Sequence, residues 1–319
     1  MNPTSPHATA PRHVGLIGLG AMGGGMARSL RRAGHTVHVF DVRAPAVQAF
    51  AADGGVGCAS PGEVARDCDV VISVVVNAAQ TEQLLFGEGG CAAAMQPGSV
   101  FVMCSTVDPA WSAALEGRLA ERGLLYLDAP ISGGAARAQA GQITMMTAGS
   151  AAAYERCGTL LEAMAAKVYR LGERAGGGSK VKIINQLLAG VHIAAAAEAM
   201  ALGLREGVDP AALYEVITHS AGNSWMFENR MAHVLAGDYT PLSAVDIFVK
   251  DLGLVLDTAR ATKFPLPLSA TAHQMFMQAS SAGFGREDDS AVIKIFPGID
   301  LPPPSATAGG TTTPEGPKQ

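Results

Sequence analysis

The hexapeptide Gly18-Leu19-Gly20-Ala21-Met22-Gly23 follows the apolar run 14–17 and leads into apolar positions at helical spacing up to Ala33. Strand, tight turn and helix in that order make G-x-G-x-x-G a phosphate-binding signal. The first glycine permits the turn, the second lets the backbone approach a pyrophosphate, and the third lets the helix pack on the strand. Asp41 closes the next apolar run, 41 − 20 = 21 positions after Gly20. A carboxylate there accepts hydrogen bonds from adenosine ribose hydroxyls and repels a 2′-phosphate, so the expected dinucleotide is NAD ahead of NADP. Arg43 is the side chain that would serve the phosphorylated cofactor, or else a solvated charge at a helix start.

An enzyme that oxidises an alcohol with a nicotinamide needs a group to take the hydroxyl proton. None of the five tyrosines has a lysine four positions on, and the five cysteines and eight histidines form neither C-x-x-C nor H-E-x-x-H, so no metal site is expected. Lys182 and Asn185 stand at i and i+3 in GGGSKVKIIN, on one face of a helix. Only seven lysines occur, none before Lys167. An amine buried beside a positively charged nicotinamide would titrate below its usual value of about 10.4, as a general base requires. The competing reading has Lys182 reaching solvent and Asn185 capping a loop. Asp128 to Gly134 follows a strand-like run, and Ser132, Gly133 and Gly134 offer a hydroxyl and close-set N–H donors that suit a carboxylate; an ordinary glycine turn competes.

The elements that must position these residues fall into two halves. The chain has 319 residues, and a prior of roughly 150 per domain suggests two. Apolar runs at 14–17, 37–40, 70–76, 100–103 and 124–127, separated by helix-length segments, suit parallel strands covered on both faces, a doubly wound α/β domain over 14–175. Beyond Gly176 the segments 179–207, 210–219, 223–236, 244–261 and 267–282 read as helices, giving an all-α domain over 176–299. Residues 1–13 read as a loose arm and 300–319 as a disordered tail. The apolar stretch 183–204 contains Asn185, Gln186, His192 and Glu198, so it reads as a buried helix rather than a membrane span.

At 48% hydrophobic and 16% charged residues the chain is too apolar for disorder, and a net charge of −5 lacks the basic excess of a nucleic-acid binder. The cysteines read as reduced, buried thiols of a cytoplasmic protein, and His35 and His38 as edge residues flanking a strand.

GLGAMG, DAPISGG at 128–134, the set Gly176, Gly178, Lys182 and Asn185, and the pair Lys250-Asp251 resemble together the β-hydroxyacid dehydrogenase family, whose members include relatives of 3-hydroxyisobutyrate dehydrogenase, over about residues 14–296. The resemblance implies a Rossmann domain followed by an all-α domain that pairs in a homodimer or homotetramer. It implies Lys182 as the catalytic residue, Ser132, Gly133 and Gly134 on the carboxylate of a small hydroxy acid, and Asn185 on the substrate. It brings Thr106 and Lys250 toward the nicotinamide end, although Asp246 and Lys250 at i and i+4 also suit a plain ion pair. GNSWMFENR at 222–230, VDIFVKDLGLVLDTA at 245–259 and EDDSAVIKIF at 287–296 resemble the branch acting on L-threonate, which implies oxidation of its 2-hydroxyl to 2-dehydro-L-erythronate. Asn223, Ser224 and Trp225 would then serve a hydroxylated tail, or cap a helix and pack in the core. The alternatives are 3-hydroxyisobutyrate dehydrogenase, tartronate semialdehyde reductase, or an NAD-binding scaffold without catalysis. Gln186 stands where many members carry a second asparagine, and Lys180 is assigned to solvent.

Overall fold

A computed structural model describes residues 12–304; positions 1–11 of the expected arm and 305–319 of the expected tail lie outside the described residues. The chain divides after Asn185 into two compact units. The first carries β1 (His13–Ile17), α1 (Gly23–Arg32), β2 (Thr36–Phe40), α2 (Ala44–Ala52), β3 (Val56–Gly57), α3 (Pro61–Ala65), β4 (Val70–Ser73), α4 (Ala78–Phe86), β5 (Val100–Met103), α5 (Pro109–Ala120) and β6 (Leu125–Asp128). It continues through β7 (Ile131–Ser132), α6 (Gly134–Ala140), β8 (Ile143–Gly149), α7 (Ala151–Cys157), α8 (Leu160–Met164) and β9 (Ala165–Arg170) to the first turns of α9 (Gly177–Arg205).

The nine strands run β3-β2-β1-β4-β5-β6-β8-β7, with β9 beside β8. β1 to β6 are all parallel, the doubly wound order. Val14, Leu16, Val70, Ile72, Val100 and Val102 enter one core, whereas Val71, Phe101 and Met103 enter another. Side chains alternate across a sheet covered on both faces, so each strand reads as an unbroken apolar run. The run 70–76 yields strand only to Ser73. Val75 O instead accepts the Ser105 hydroxyl at 2.7 Å, and Val76 N–H donates to Gln80 Oε1 at 2.8 Å, which turns the chain out of the sheet. β8 runs antiparallel to β6 and β7 and parallel to β9, an extension that the sequence pattern does not announce. His35 and His38, expected at an edge, are buried, and the His38 ring meets His13 at 2.9 Å.

The second unit takes up the rest of α9 with α10 (Pro210–Thr218), α11 (Trp225–Ala236), α12 (Val245–Ala261) and α13 (Pro267–Ala279), each within three residues of the expected segment ends. Ile193, Ala197 and Met200 of α9 pack with Phe227, Phe248, Leu252 and Phe276. α9 has the length and apolarity of a membrane-crossing helix, and 44% of its apolar stretch is buried inside the protein. In the same unit Arg230 forms a buried ion pair with Asp289. All five cysteines are free and buried.

Candidate active site

The glycine loop carries the sharpest local constraints. Gly18 has φ +99°, and a Cβ there would stand 2.4 Å from Val74 O; at Gly23 it would stand 1.9 Å from Gly18 O. Both positions exclude a side chain because backbone already fills the space. A Cβ on Gly20 meets nothing within 4 Å, so this glycine faces open space that a ligand backbone can use. Helices α3, α4, α5 and α7 are capped by Ser60, Asn77, Asp108 and Ser150, but α1 has neither a side-chain cap nor an acidic residue in its first turn. Gly24 N–H donates to Gly20 O at 3.2 Å, and no N-cap side chain competes with an anion for the remaining donors of that turn. An uncapped α1, an open Gly20 and a carboxylate at the end of β2 fit the pyrophosphate and ribose of a dinucleotide. A cavity of about 420 Å³ opens beside the loop, lined by Gly20, Ala21, Arg28, Phe50 and Ala136 among others.

Asp41 Oδ2 accepts the Leu19 N–H at 2.6 Å, and Oδ1 accepts the Arg43 N–H at 2.8 Å and its Nε–H at 3.0 Å. Burial alone would raise this carboxyl, but the bonds from Arg43 and Leu19 outweigh it and hold Asp41 below its ordinary pKa. Arg43 also donates to Leu19 O at 3.0 Å. The guanidinium that would serve a 2′-phosphate is thus engaged with the carboxylate that would repel one.

At the carboxyl edge of β6 the structure gives Asp128 a role that the sequence left unassigned. Its Oδ2 accepts the N–H of Gly176 and of Ser179, each at 2.9 Å, and its Oδ1 accepts the Ser179 hydroxyl at 2.7 Å. Burial raises the Asp128 pKa, while Ser179 and Gly176 pull it back down. A Cβ on Gly178 would stand 2.3 Å from Met146 O, so α9 starts hard against the sheet. These anchors explain why the first turns of α9, with Lys182 and Asn185, group with the sheet. Lys182 is 7% exposed, whereas Lys180 points to solvent. The signal for Asp128 was available: like Asp41, it is an acid closing an otherwise apolar strand.

Ser132 pairs with Thr144 across β7 and β8, Gly133 has φ +131° and Gly134 φ +77°, and α6 begins there without a side-chain cap. Thr106 lies half-buried in the loop after β5, at the same carboxyl edge as Gly18, Asp41 and Asp128. Ligands of open α/β sheets bind at that edge.

In the second unit, the carboxylate beside Lys250 is that of its neighbour Asp251, at 2.6 Å, and Asp246 accepts the Ser280 hydroxyl at 2.6 Å. Asp251 also accepts Gln186 Nε2–H at 2.5 Å. The longer side chain at position 186 is thereby committed to a buried acid. Ser224 caps α11 by accepting the Phe227 N–H at 3.0 Å, and Asn223 donates to Thr218 O and Glu228 Oε1. Trp225 is 50% exposed and so is not the core residue that its capping neighbour suggested. Among the described residues no cluster could hold a metal ion.

Residues 13–172 match the NAD binding domain of 6-phosphogluconate dehydrogenase, and residues 176–296 match the NAD-binding of NADP-dependent 3-hydroxyisobutyrate dehydrogenase. A doubly wound sheet, a glycine loop with an acid after β2 and a following helical unit define an oxidoreductase with a nicotinamide cofactor. An L-threonate dehydrogenase from Cupriavidus necator is 70% identical over 91% of this chain and 98% of its own length; one from Escherichia coli K12 is 54% identical over 91% and 96%. The crystal structure of a 3-hydroxyisobutyrate dehydrogenase from Salmonella typhimurium superposes with a TM-score of 0.86 at 55% identity, covering 89% of this chain and all of that one. The chain belongs to the β-hydroxyacid dehydrogenase family, as its motifs implied.

Proposed function

We propose that this protein is an NAD-dependent L-threonate dehydrogenase that oxidises the 2-hydroxyl to give 2-dehydro-L-erythronate. The observation that carries the reading is high identity across both units to relatives named for that activity, together with a lysine buried in the first turns of α9. Ser132, Gly133 and Gly134 hold the substrate carboxylate, using the hydroxyl and the uncapped donors of α6. Asn185, one turn along from Lys182, orients the hydroxyl. Lys182 enters as the neutral amine and takes the hydroxyl proton on Nζ. NAD, held by the glycine loop and Asp41, would supply the acceptor for the hydride from C2. Thr106 and Lys250 serve the nicotinamide end of the cofactor, and Leu19, Ala21 and Met22 line its pyrophosphate with the loop glycines. Asp41 favours NAD over NADP, because its carboxylate faces the ribose position and keeps Arg43 occupied.

The second reading is 3-hydroxyisobutyrate oxidation or tartronate semialdehyde reduction on the same machinery; the name of the Salmonella relative favours the former. A scaffold without catalysis is the reading least compatible with a buried Lys182. The test is NADH or NADPH production from L-threonate, D-threonate, L-serine, 3-hydroxyisobutyrate and D-glycerate, each with NAD and with NADP. Preference for L-threonate with NAD supports the proposal, another winning acid replaces the substrate, and silence on all five removes the activity. Buried thiols suit a cytoplasmic enzyme, and exposed Ile184, Leu188 and Leu202 on α9 suit a homodimer or homotetramer, which sedimentation would measure.

A further inference from the structure

The two loops assigned to ligands in the first unit each begin a helix, and those two helices are clamped together. α1 starts at the glycine loop and α6 starts at Gly134. A Cβ on Gly25 would stand 2.6 Å from Gln139 N and 2.7 Å from Ala138 C, so the two backbones touch. Buried Ser29 donates from Oγ to Ala138 O at 3.2 Å. Arg32 Nη2 donates to Ser29 Oγ at 2.7 Å and to Gln139 O at 2.5 Å. Carbonyls at a helix C-terminus run short of partners within their own helix: Ala138 O accepts the Gly141 N–H at 3.2 Å as well as the Ser29 hydroxyl, and Gln139 O accepts Arg32. α6 has seven residues, too few to hold its own conformation, so its placement is set by what it packs against.

We propose that Ser29 and Arg32 are positioning residues for substrate: by fixing the far end of α6 to α1, they set where Ser132, Gly133 and Gly134 stand relative to the cofactor loop. The inference rests on the reading that those three residues hold the substrate carboxylate. Arg32 ends α1, nine residues beyond Gly23, or about 14 Å along the helix, too far to touch the cofactor phosphates itself. Loosening the clamp therefore displaces the carboxylate site without removing a cofactor contact. A misplacement on the order of 1 Å is enough to impair a reacting geometry.

The experiment compares Arg32→Ala, Arg32→Lys, Ser29→Ala and Ser132→Ala, measuring KM for the best hydroxy acid, kcat, the Kd for NADH by fluorescence, and the melting temperature. The clamp predicts a KM raised by about fivefold or more in Arg32→Ala, NADH Kd within about twofold, and recovery of most of the effect in Arg32→Lys, which keeps a charged donor. A lower melting temperature with unchanged KM, or KM and NADH Kd rising together, would overturn it. Ser132→Ala separates the two levels. If it raises KM while Arg32→Ala does not, the clamp is wrong and the carboxylate site stands; if Ser132→Ala leaves KM unchanged, the carboxylate site fails and the clamp falls with it.

Discussion

The Ser179 hydroxyl donates to Asp128 Oδ1 at 2.7 Å, so the last residue of β6 holds the helix that carries Lys182 three positions before the lysine itself. Two backbone N–H groups reinforce the bond. Asp128→Ala should lower stability by about 3 kcal/mol or more, because bonds to a charged acceptor are lost and their donors left buried. Chemical denaturation measures it. The folded pKa of Asp128 lies above its unfolded value through burial. The folded chain then holds the extra proton between those two values, and this residue's contribution to stability declines as pH rises through that acidic window. Asp128→Asn should remove the slope, and an unchanged pH profile would show that another group sets it.

Lys182→Ala should reduce kcat by about 10²- to 10⁴-fold, the range for a lost general base, with NADH binding retained. Steady-state rates beside fluorescence titration of NADH check both halves. Turnover near that of the unaltered protein would reassign the proton acceptor.

Gly20 and Gly23 should separate cleanly despite sharing one motif. Gly20→Ala places its Cβ in open space, so the melting temperature should hold while the NADH Kd rises by about tenfold or more. Gly23→Ala drives its Cβ into Gly18 O and should destabilise the unit by about 1–3 kcal/mol or more. Equal losses of stability in the two variants would contradict the open space over Gly20.

Asp41→Ala releases Arg43 from its carboxylate partner and removes the charge that would repel a 2′-phosphate. The ratio of kcat/KM with NAD to that with NADP should fall by about tenfold, near 1.4 kcal/mol of discrimination. Asp41→Ala combined with Arg43→Ala should not gain NADP activity, since the phosphate partner is then missing.

The thiols should be inert. Burial pushes Cys58 up to about 11 and Cys68, Cys91 and Cys157 up to about 12, and raises Cys104 as well. At pH 8 the thiolate is then a fraction on the order of 10⁻³ or less, and native protein should resist iodoacetamide until denaturant exposes all five. Rapid modification of one cysteine in native protein, read by mass spectrometry, would place that residue at a locally open site.

The sequence by itself determined the elements whose reasons are local. β1, β2, β5 and β6 are apolar runs because both faces of a parallel sheet are covered, and α10 to α13 follow their own apolar spacing. GLGAMG could be read because each glycine answers a steric demand within a few residues of chain. Family membership was equally legible, in motifs whose order survives without any knowledge of their geometry.

Tertiary structure decided what depends on partners far apart in the chain. No periodicity indicates that Asp128 receives Ser179, 51 positions on, that Arg32 closes onto Gln139, 107 positions on, or that Gln186 and Lys250 meet on Asp251. A single polar residue leaves the same trace in a sequence whether it faces water or a buried partner. β7 to β9 stayed hidden for a related reason: their pairing with β6 and one another is set by where the sheet has a free edge, not by their composition. Trp225 shows the converse, an aromatic ring whose type suggests the core but whose helix face is left at the surface.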